Sequence, residues 1–343
     1  STLFAALTLT TLVGGSALAA VPDKPLYWSG KGFRTHSESI EHVTIRARSA
    51  AGHATFIRFS VANAAYKKGA LTVTFKQESA GGTLYAKQNY KPGHYSVSTT
   101  KLGFVAGGNS LSVEQGSLVA RIAMGELRAT ARLAPSVASM SVRDKDTSGW
   151  IIRDLLVPRG KLQVEATGAK GLTYNGSGLA FAMHEASVIK AHRVYDRSIQ
   201  LHAIRGGRIT LVDYIIGPKE RGHRPLGFVA LHGGGVSHVG PVTAERRSDE
   251  RRDKKNDYKV PWQIQVESKV GARVAVVELK TVRQLSRHDD LAKLGYFTRK
   301  AVSFLIHPFT YELRGDVLAT VSQGQTPAAS GSVKADWKYA QAR

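Results

Sequence analysis

The sequence predicts an all-β protein made of two tandem antiparallel β-barrels with one short C-terminal helix. Three observations lead to this fold class: short segments alternate apolar and polar residues, glycine-containing turns separate them, and they form two consecutive series along 343 residues. Alternation with a period of two gives a strand one dry face and one wet face, as in antiparallel sheets. Two series of about seven strands each therefore indicate two barrels or sandwiches in tandem.

The first series of predicted strands occupies the N-terminal half of the chain. Its clearest members are residues 55–61, 71–77, 117–122 and 126–133. Glycine, proline and asparagine between these segments suit tight reversals of the chain. The candidate turns are residues 67–69, 80–82, 91–93 and 107–109.

The second series begins near residue 161. Its predicted strands are residues 161–167, 178–189, 198–204, 209–216, 225–231, 262–267 and 273–279. The glycine run at 233–235 is expected to be a hairpin turn rather than an anion cradle, because no helix follows it. Residues 245–259 carry seven basic and five acidic side chains and are expected to form a solvated loop. The predicted helix covers residues 293–304.

The chain is predicted to have three parts. Residues 1–19 form an apolar run that ends in small residues, as a signal peptidase requires, and are expected to be a signal peptide. Residues 143–149 are polar and rich in turn-forming residues, which places the join between the barrels near them. The N-terminal barrel is therefore expected at residues 20–150 and the C-terminal barrel at residues 151–343.

The amino-acid composition limits the expected cellular location of the protein and the classes of partner that it binds. The chain has no cysteine, which excludes disulfides, thiolate metal sites and a cysteine nucleophile. An exported chain without disulfides suits the bacterial periplasm or secretion from a bacterium. The formal net charge of +22 favours anionic partners, here an anionic membrane surface or an acidic polymer. Nucleic acid is not an expected partner, because no aromatic RNA-binding signature or basic recognition helix is present.

Five stretches, in this order and spacing, carry a family resemblance. They are residues 59–64, 107–116, 178–185, 283–291 and 309–315. Together they resemble the AttH-like and carotenoid-hydratase-like proteins, a family that includes survival-factor proteins. The resemblance implies two lipocalin-like barrels, with the strand from Gly178 opening the second. It also implies a hydratase as the enzymatic activity of the family.

Three functions follow as expectations. A lipocalin-type barrel of about eight strands leaves room for one elongated apolar ligand, so the first is an exported binder or carrier of a lipid-like or isoprenoid ligand. No cofactor is expected for this function. The second is a hydratase, a hydro-lyase that protonates an isolated double bond of an isoprenoid, and whether the protein is an enzyme stays open. The third is a basic surface protein that engages an anionic membrane or polymer.

The candidate catalytic acids are His184, Glu185 and Asp213, which lie in apolar predicted strands. Burial tunes the pKa of a carboxyl or an imidazolium for proton transfer. Alternation places His184 and Glu185 on opposite faces of one strand, so one of them points into a barrel. That residue is Glu185 if Phe181 and Met183 line the interior, and His184 if the small residues do. The structural alternatives are a hydrogen-bonded histidine and carboxylates paired with arginines.

The predicted ligand-binding residues are Phe181, Met183, His192 and Tyr214. No metal site is expected. The zinc-protease pattern His-Glu-x-x-His fails because Val188 occupies the position of its second histidine. A site made of His184, His192 and His202 would require three separate segments to converge.

Overall fold

The computed structural model describes residues 19–23, 38–63, 69–146, 149–188, 195–217, 222–292, 308–324 and 326–342. Most of these residues lie in twenty β-strands, and Ala169–Gly171 form one turn of 3₁₀-helix. None of the described segments contains a helix that is long and apolar enough to cross a membrane.

The first twelve strands form one antiparallel sheet. They are β1 Ser39–Arg48, β2 Ala54–Ala62, β3 Ala70–Ser79, β4 Gly82–Tyr90, β5 Ser96–Val97, β6 Gly103–Ala106, β7 Asn109–Glu114, β8 Ser117–Met124, β9 Leu127–Pro135, β10 Met140–Asp146, β11 Gly149–Thr167 and β12 Thr173–Val188. The order across the sheet is β4-β3-β2-β1-β12-β11-β9-β8-β7-β6-β5, and β10 pairs with β11 outside this path. The sheet forms a half-barrel around an apolar core that includes Phe59, Phe75 and Phe104.

The last eight strands close into an antiparallel barrel in sequence order. They are β13 Arg197–Arg205, β14 Arg208–Ile216, β15 Pro225–Gly233, β16 Val236–Arg252, β17 Lys259–Val270, β18 Arg273–Asp289, β19 Phe309–Gln323 and β20 Thr326–Gln341. Pairing of β20 with β13 completes the ring. The four tight turns, β13–β14, β15–β16, β17–β18 and β19–β20, lie at one end, which we call the turn end. A half-barrel followed by a closed barrel confirms the predicted all-β fold.

The two sheets divide the chain between Val188 and Arg197, whereas the sequence pattern placed the division at residue 150. The difference arises because β12 pairs with both β1 and β11, which holds β11 and β12 in the first sheet. Within the range expected to hold the join, residues 143–146 end β10 and Gly149 begins β11, and these two strands pair antiparallel. The strand segment from Gly178, expected to open the second barrel, is the C-terminal part of β12.

Three other predicted segments have different outcomes. Residues 245–259 form a hairpin rather than a loop, since β16 continues to Arg252 and β17 begins at Lys259. The run at 233–235 is the β15–β16 turn, as expected. The predicted helix at 293–304 lies outside the described residues, as does the predicted signal peptide apart from its last residue.

The half-barrel and the barrel pack together through an apolar cluster. It consists of Leu155, Phe181 and Met183 from the first sheet and of Ile209, Leu211, Phe228 and Ala230 from β14 and β15. The members from β14 and β15 lie on the outer face of the barrel, because alternate residues such as Val212 and Val229 belong to its core. A fully buried large apolar side chain stabilises by roughly 1.5–3 kcal/mol. The cluster therefore fixes the two domains against each other.

Candidate functional site

A cavity of about 520 Å³ occupies the turn end of the second barrel. The apolar residues that line it include Ala203, Leu231, Val236, Val317, Ala319, Val321 and Val333. Thr210 adds a hydroxyl group to the wall. This volume lies in the range of roughly 300–1,000 Å³ that is typical of small-molecule sites.

The size of the inward-facing residues explains why this end of the barrel is hollow. Along β20, the inward series from the turn end is Gly331, Val333, Ala335, Trp337 and Tyr339. The series on β14 is Thr210, Val212 and Tyr214. Small side chains stand at the turn end and do not reach across the barrel axis, whereas aromatic rings fill the other end. The depth of the cavity is thus set by the position along each strand at which small inward-facing side chains give way to aromatic ones.

Two cationic residues of the inward-facing series lie at the rim of the cavity, Arg205 and Arg208, and Lys334 borders it from β20 with its side chain on the outer face of that strand. Arg205 and Arg208 are paired directly across the β13–β14 turn. The Arg205 guanidinium donates a hydrogen bond of 3.4 Å to the carbonyl oxygen of Lys334. None of the described residues that line the cavity carries a carboxylate. The cavity therefore combines an apolar interior with a positively charged mouth.

A second polar region lies between the two domains and is centred on Arg153 of β11. Its Nε donates a hydrogen bond of 2.7 Å to Glu185 on β12, and its Nη2 pairs with Asp213 on β14. Its Nη1 donates to the carbonyl oxygen of Leu226 at 3.2 Å, and its Cζ lies 5.6 Å from the centre of the Phe228 ring. Arg153 is 2% exposed. One buried cation thus bridges carboxylates from both domains.

Two histidines complete this interdomain charged layer. His42 Nε2 lies 2.5 Å from Glu185 Oε2, and His202 Nε2 lies 2.5 Å from Asp213 Oδ2. Burial and the nearby charge of Arg58 lower the pKa of His42 despite the charge of Glu185. Burial raises the pKa of Glu185, but Arg153 and His42 outweigh this effect and hold that pKa well below its usual value. Glu185 is therefore ionised, as a partner of Arg153 must be.

His184 lies on the opposite face of β12, in the core of the first sheet. Its Nδ1 is 2.6 Å from Asp154 Oδ2, and its Nε2 is 3.0 Å from Glu41 Oε1. All three side chains are at most 2% exposed. Burial lowers the pKa of the imidazole, but hydrogen bonds to both carboxylates outweigh it and raise the pKa to about 10. His184 is therefore a buried cation held between two carboxylates at neutral pH.

A smaller cavity of about 290 Å³ opens beside the interdomain layer. Arg46, Phe56, His202 and Ile204 are among its lining residues. The Arg46 Cζ lies 4.9 Å from the centre of the Phe56 ring. Because His202 is bonded to Asp213, this crevice is connected to the charged layer.

Comparisons with known proteins bear on the fold. No protein-family model matches the sequence, and a search among curated proteins found no match. The solved structure of CghA has a TM-score of 0.53 at 8% identity, with 95% of each chain covered, and CghA with Sch210972 has a TM-score of 0.54. The chain is similar in fold to CghA. A presumed AttH from Nitrosomonas europaea is 13% identical and has a TM-score of 0.48, and the match covers 94% of this chain and 99% of that chain. At such identities the likeness to CghA concerns the fold alone.

The structure separates the predicted catalytic acids into two places. It brings Glu185 and Asp213 together through Arg153, between the domains. It places His184 on the other face of β12, so His184 and Glu185 point in opposite directions, as the alternation predicted. The small-residue face of β12, with Ala180 and Ala182, is the one that lines the core of the half-barrel.

The predicted ligand-binding residues are also apart. Phe181 and Met183 pack in the interdomain apolar cluster, and Tyr214 lies in the filled end of the second barrel. His192 lies outside the described residues. His184 and His202 occupy different layers, and no group of three or more potential metal ligands is found in the described part of the chain.

Sequence reasoning missed the residues that organise both regions, Arg153 and Arg208. The chain has 48 lysine and arginine residues, so a single arginine carries no signal by composition. A usable signal exists for Arg153, because the Arg-Asp pair at 153–154 interrupts an apolar run from Trp150 to Val157. A charged pair inside such a run requires buried partners.

Replacing Arg153 by Met should destabilise the protein by about 3–5 kcal/mol, because it leaves two carboxylates buried without their cation. The triple variant Arg153→Met, Glu185→Gln, Asp213→Asn should recover much of this loss, since no buried charge is then unpaired. The free energies of unfolding of the single and triple variants are measured by urea denaturation. The matched control is Arg121→Met, whose half-exposed pair with Glu114 should contribute less than about 1 kcal/mol. A loss no larger for Arg153→Met than for this control would contradict the bridging role.

Replacing His184 by Gln should cost most stability near pH 6 and progressively less toward pH 10. The folded pKa of about 10 lies above the unfolded value of 6.5, so the stabilisation is complete below pH 6.5 and is lost as the pH rises through 10. The measurement is the difference in unfolding free energy between variant and wild type at pH 6 and 9.5. His238→Gln is the control, because burial lowers the pKa of His238 to about 4, below the unfolded value of 6.5, so the cost of this substitution should be slightly smaller at pH 6 than at pH 9.5, which is the opposite trend.

Proposed function

We propose that the protein is a binder or carrier of a hydrophobic, lipid-like ligand, held in the turn-end cavity of the second barrel. The observation that carries the proposal is a cavity of about 520 Å³ lined by aliphatic side chains inside a closed barrel. Burial of an alkyl chain is favourable by roughly 0.8 kcal/mol per methylene group. Binding of this kind requires an apolar wall and a group that orients the ligand, but it requires no reactive residue.

The filled end of the barrel supplies the floor of this cavity. Trp337 is 2% exposed, and its ring packs so closely on Gly315 that an added Cβ there would lie 2.8 Å from it. Tyr311 and Tyr339 lie beyond it with no exposed surface. A linear ligand therefore enters from the turn end, with its apolar end toward the Trp337 layer.

Replacing Ala319 by Trp should abolish or strongly weaken binding, because the new ring occupies the cavity. The measurement is titration of dodecanoate by calorimetry, with native mass spectrometry of gently purified protein to detect a bound lipid. The expected loss is at least about tenfold in affinity, since about two displaced methylene contacts suffice for that change. Leu318→Trp is the matched control, because Leu318 is the neighbouring residue on the exposed face of β19. The proposal is wrong if wild-type protein takes up neither fatty acid nor acyclic carotenoid.

A hydratase-like enzyme is the second candidate, and the contact between His202 and Asp213 favours it. His202 lines the 290 Å³ crevice, and its bond to Asp213 links a predicted acid to a space that a substrate can occupy. An imidazolium supported by a carboxylate is a proton donor for an alkene. His202→Gln and Asp213→Asn should then each reduce hydration of an acyclic carotenoid by roughly 100-fold or more. Unchanged turnover in both would sink this candidate.

Export to the periplasm or the medium, and contact with an anionic membrane surface, belong to the same proposal. The net charge of +22 supports them, because a strongly basic surface is attracted to anionic lipid. Vesicle binding that falls steeply between low and high salt would agree with this role, and salt-independent binding would contradict it.

A further inference from the structure

We infer that the ligand of the second barrel is a single-chain amphiphile with one anionic headgroup, and that Arg208, together with Arg205, binds this headgroup at the cavity mouth. The inference rests on the proposed binding function and specifies the class of its ligand. It is carried by the position of the two arginines, by their lack of acidic partners and by the glycines packed around Arg208.

The two arginines face each other above the cavity. Arg205 ends β13 and Arg208 begins β14, and they are paired across a two-residue turn. By strand alternation, Arg205 continues the inward series of Ala203, and Arg208 continues that of Thr210. Both therefore belong to the face of the barrel wall that surrounds the cavity. Like charges at directly paired positions repel each other.

Neither arginine is compensated by a carboxylate within the described part of the chain. Other arginines of the barrel differ in this respect, since Arg197 pairs with Glu245 and Arg314 pairs with Asp336. The repulsion between Arg205 and Arg208 is therefore relieved most effectively by an anion bound between them.

Two glycines from separate elements leave room for the Arg208 guanidinium. A Cβ added at Gly331 on β20 would lie 2.7 Å from Nη1, and a Cβ added at Gly234 in the β15–β16 turn would lie 2.7 Å from Nη2. The guanidinium thus lies between β20 and that turn. Any side chain at either position would displace it, so these glycines determine where its hydrogen-bond donors point.

The chemistry of this mouth selects the ligand class. A guanidinium presents a planar fork of donors that matches a carboxylate or a phosphate in a bidentate arrangement. The aliphatic cavity below it accepts an alkyl chain. The headgroup and the chain are thus bound by adjacent parts of one site.

The test compares four probes by calorimetry at low salt: dodecanoate, dodecyl phosphate, dodecanol and inorganic phosphate. Wild-type protein should bind the two anionic amphiphiles at least about tenfold more tightly than dodecanol, as charge-assisted hydrogen bonds require. Arg208→Gln should remove most of this preference and leave the affinity for dodecanol unchanged. Arg128→Gln, which removes the same charge from an exposed position in the first sheet, should keep the preference.

Gly331→Ala provides a test that removes no charge. Gly331 has no left-handed backbone conformation, so alanine is tolerated there and the added methyl group displaces the Arg208 guanidinium. The variant should lose headgroup preference as Arg208→Gln does, and the double variant should be no worse than Arg208→Gln alone. Thermal unfolding checks that each variant folds.

The outcomes separate the two proposals. Equal affinity for dodecanol and dodecanoate in wild-type protein would overturn the headgroup inference and leave the binding function standing. Failure of every amphiphile to bind would overturn both. Displacement of dodecanoate by millimolar inorganic phosphate, with no displacement by dodecanol, would show a site for a free anion and also overturn the inference. Loss of preference in Arg208→Gln and Gly331→Ala, with dodecanol affinity retained, would support it.

Discussion

A guanidinium from the first sheet reaches the second barrel between two carboxylates, and the packing of the domains is arranged around it. Arg153 is buried, so its charge is tolerated only because Glu185 and Asp213 accept its donors from both sides. The aromatic and aliphatic side chains around it, including Phe181 and Phe228, exclude water and strengthen those bonds. The interface behaves as an internal core with a charged centre.

Strands β1, β11 and β12, which carry His42, Arg153 and Glu185 on one face, carry a second charged group on the other face. Consecutive residues on β1, β11 and β12 supply both layers, because neighbours along a strand point to opposite faces. His184 with Asp154 and Glu41 holds these strands together from inside the half-barrel, while Arg153 with Glu185 and His42 holds them from outside. This pairing explains why β11 and β12 stay in the first sheet. Removing them would leave charges of both layers buried without partners.

The strands were largely predictable from the sequence, but their assignment to sheets was not. Alternation located the segments around Phe59, Val73 and Leu133 because each has one wet face. Alternation failed at residues 149–157, because this segment is buried on both faces and its sequence is an apolar run broken only by Arg153 and Asp154. The sheet order depends on pairs distant in sequence, such as His42 with Glu185, that no local pattern encodes. For the same reason, alternation separated His184 from Glu185 but did not show which face was inside.

The wall of the cavity has two unlike sides, and this difference bears on how a ligand enters. On β14 and β15, the outer residues Ile209, Leu211 and Ala230 are buried against the first domain, so these strands keep their packing even where the inner residues are small. On β19 and β20, small inner residues such as Ala319 and Gly331 coincide with an outer face exposed to water, where Leu318 is 42% exposed. Local opening requires the least free energy where few apolar contacts are lost. The β19–β20 side therefore has fewer apolar contacts to lose on opening than the β14–β15 side, which carries Arg208 and packs against the first domain. Under the proposed binding function, a ligand chain would therefore be admitted on the β19–β20 side while its headgroup contacts Arg208 on the side that packs against the first domain.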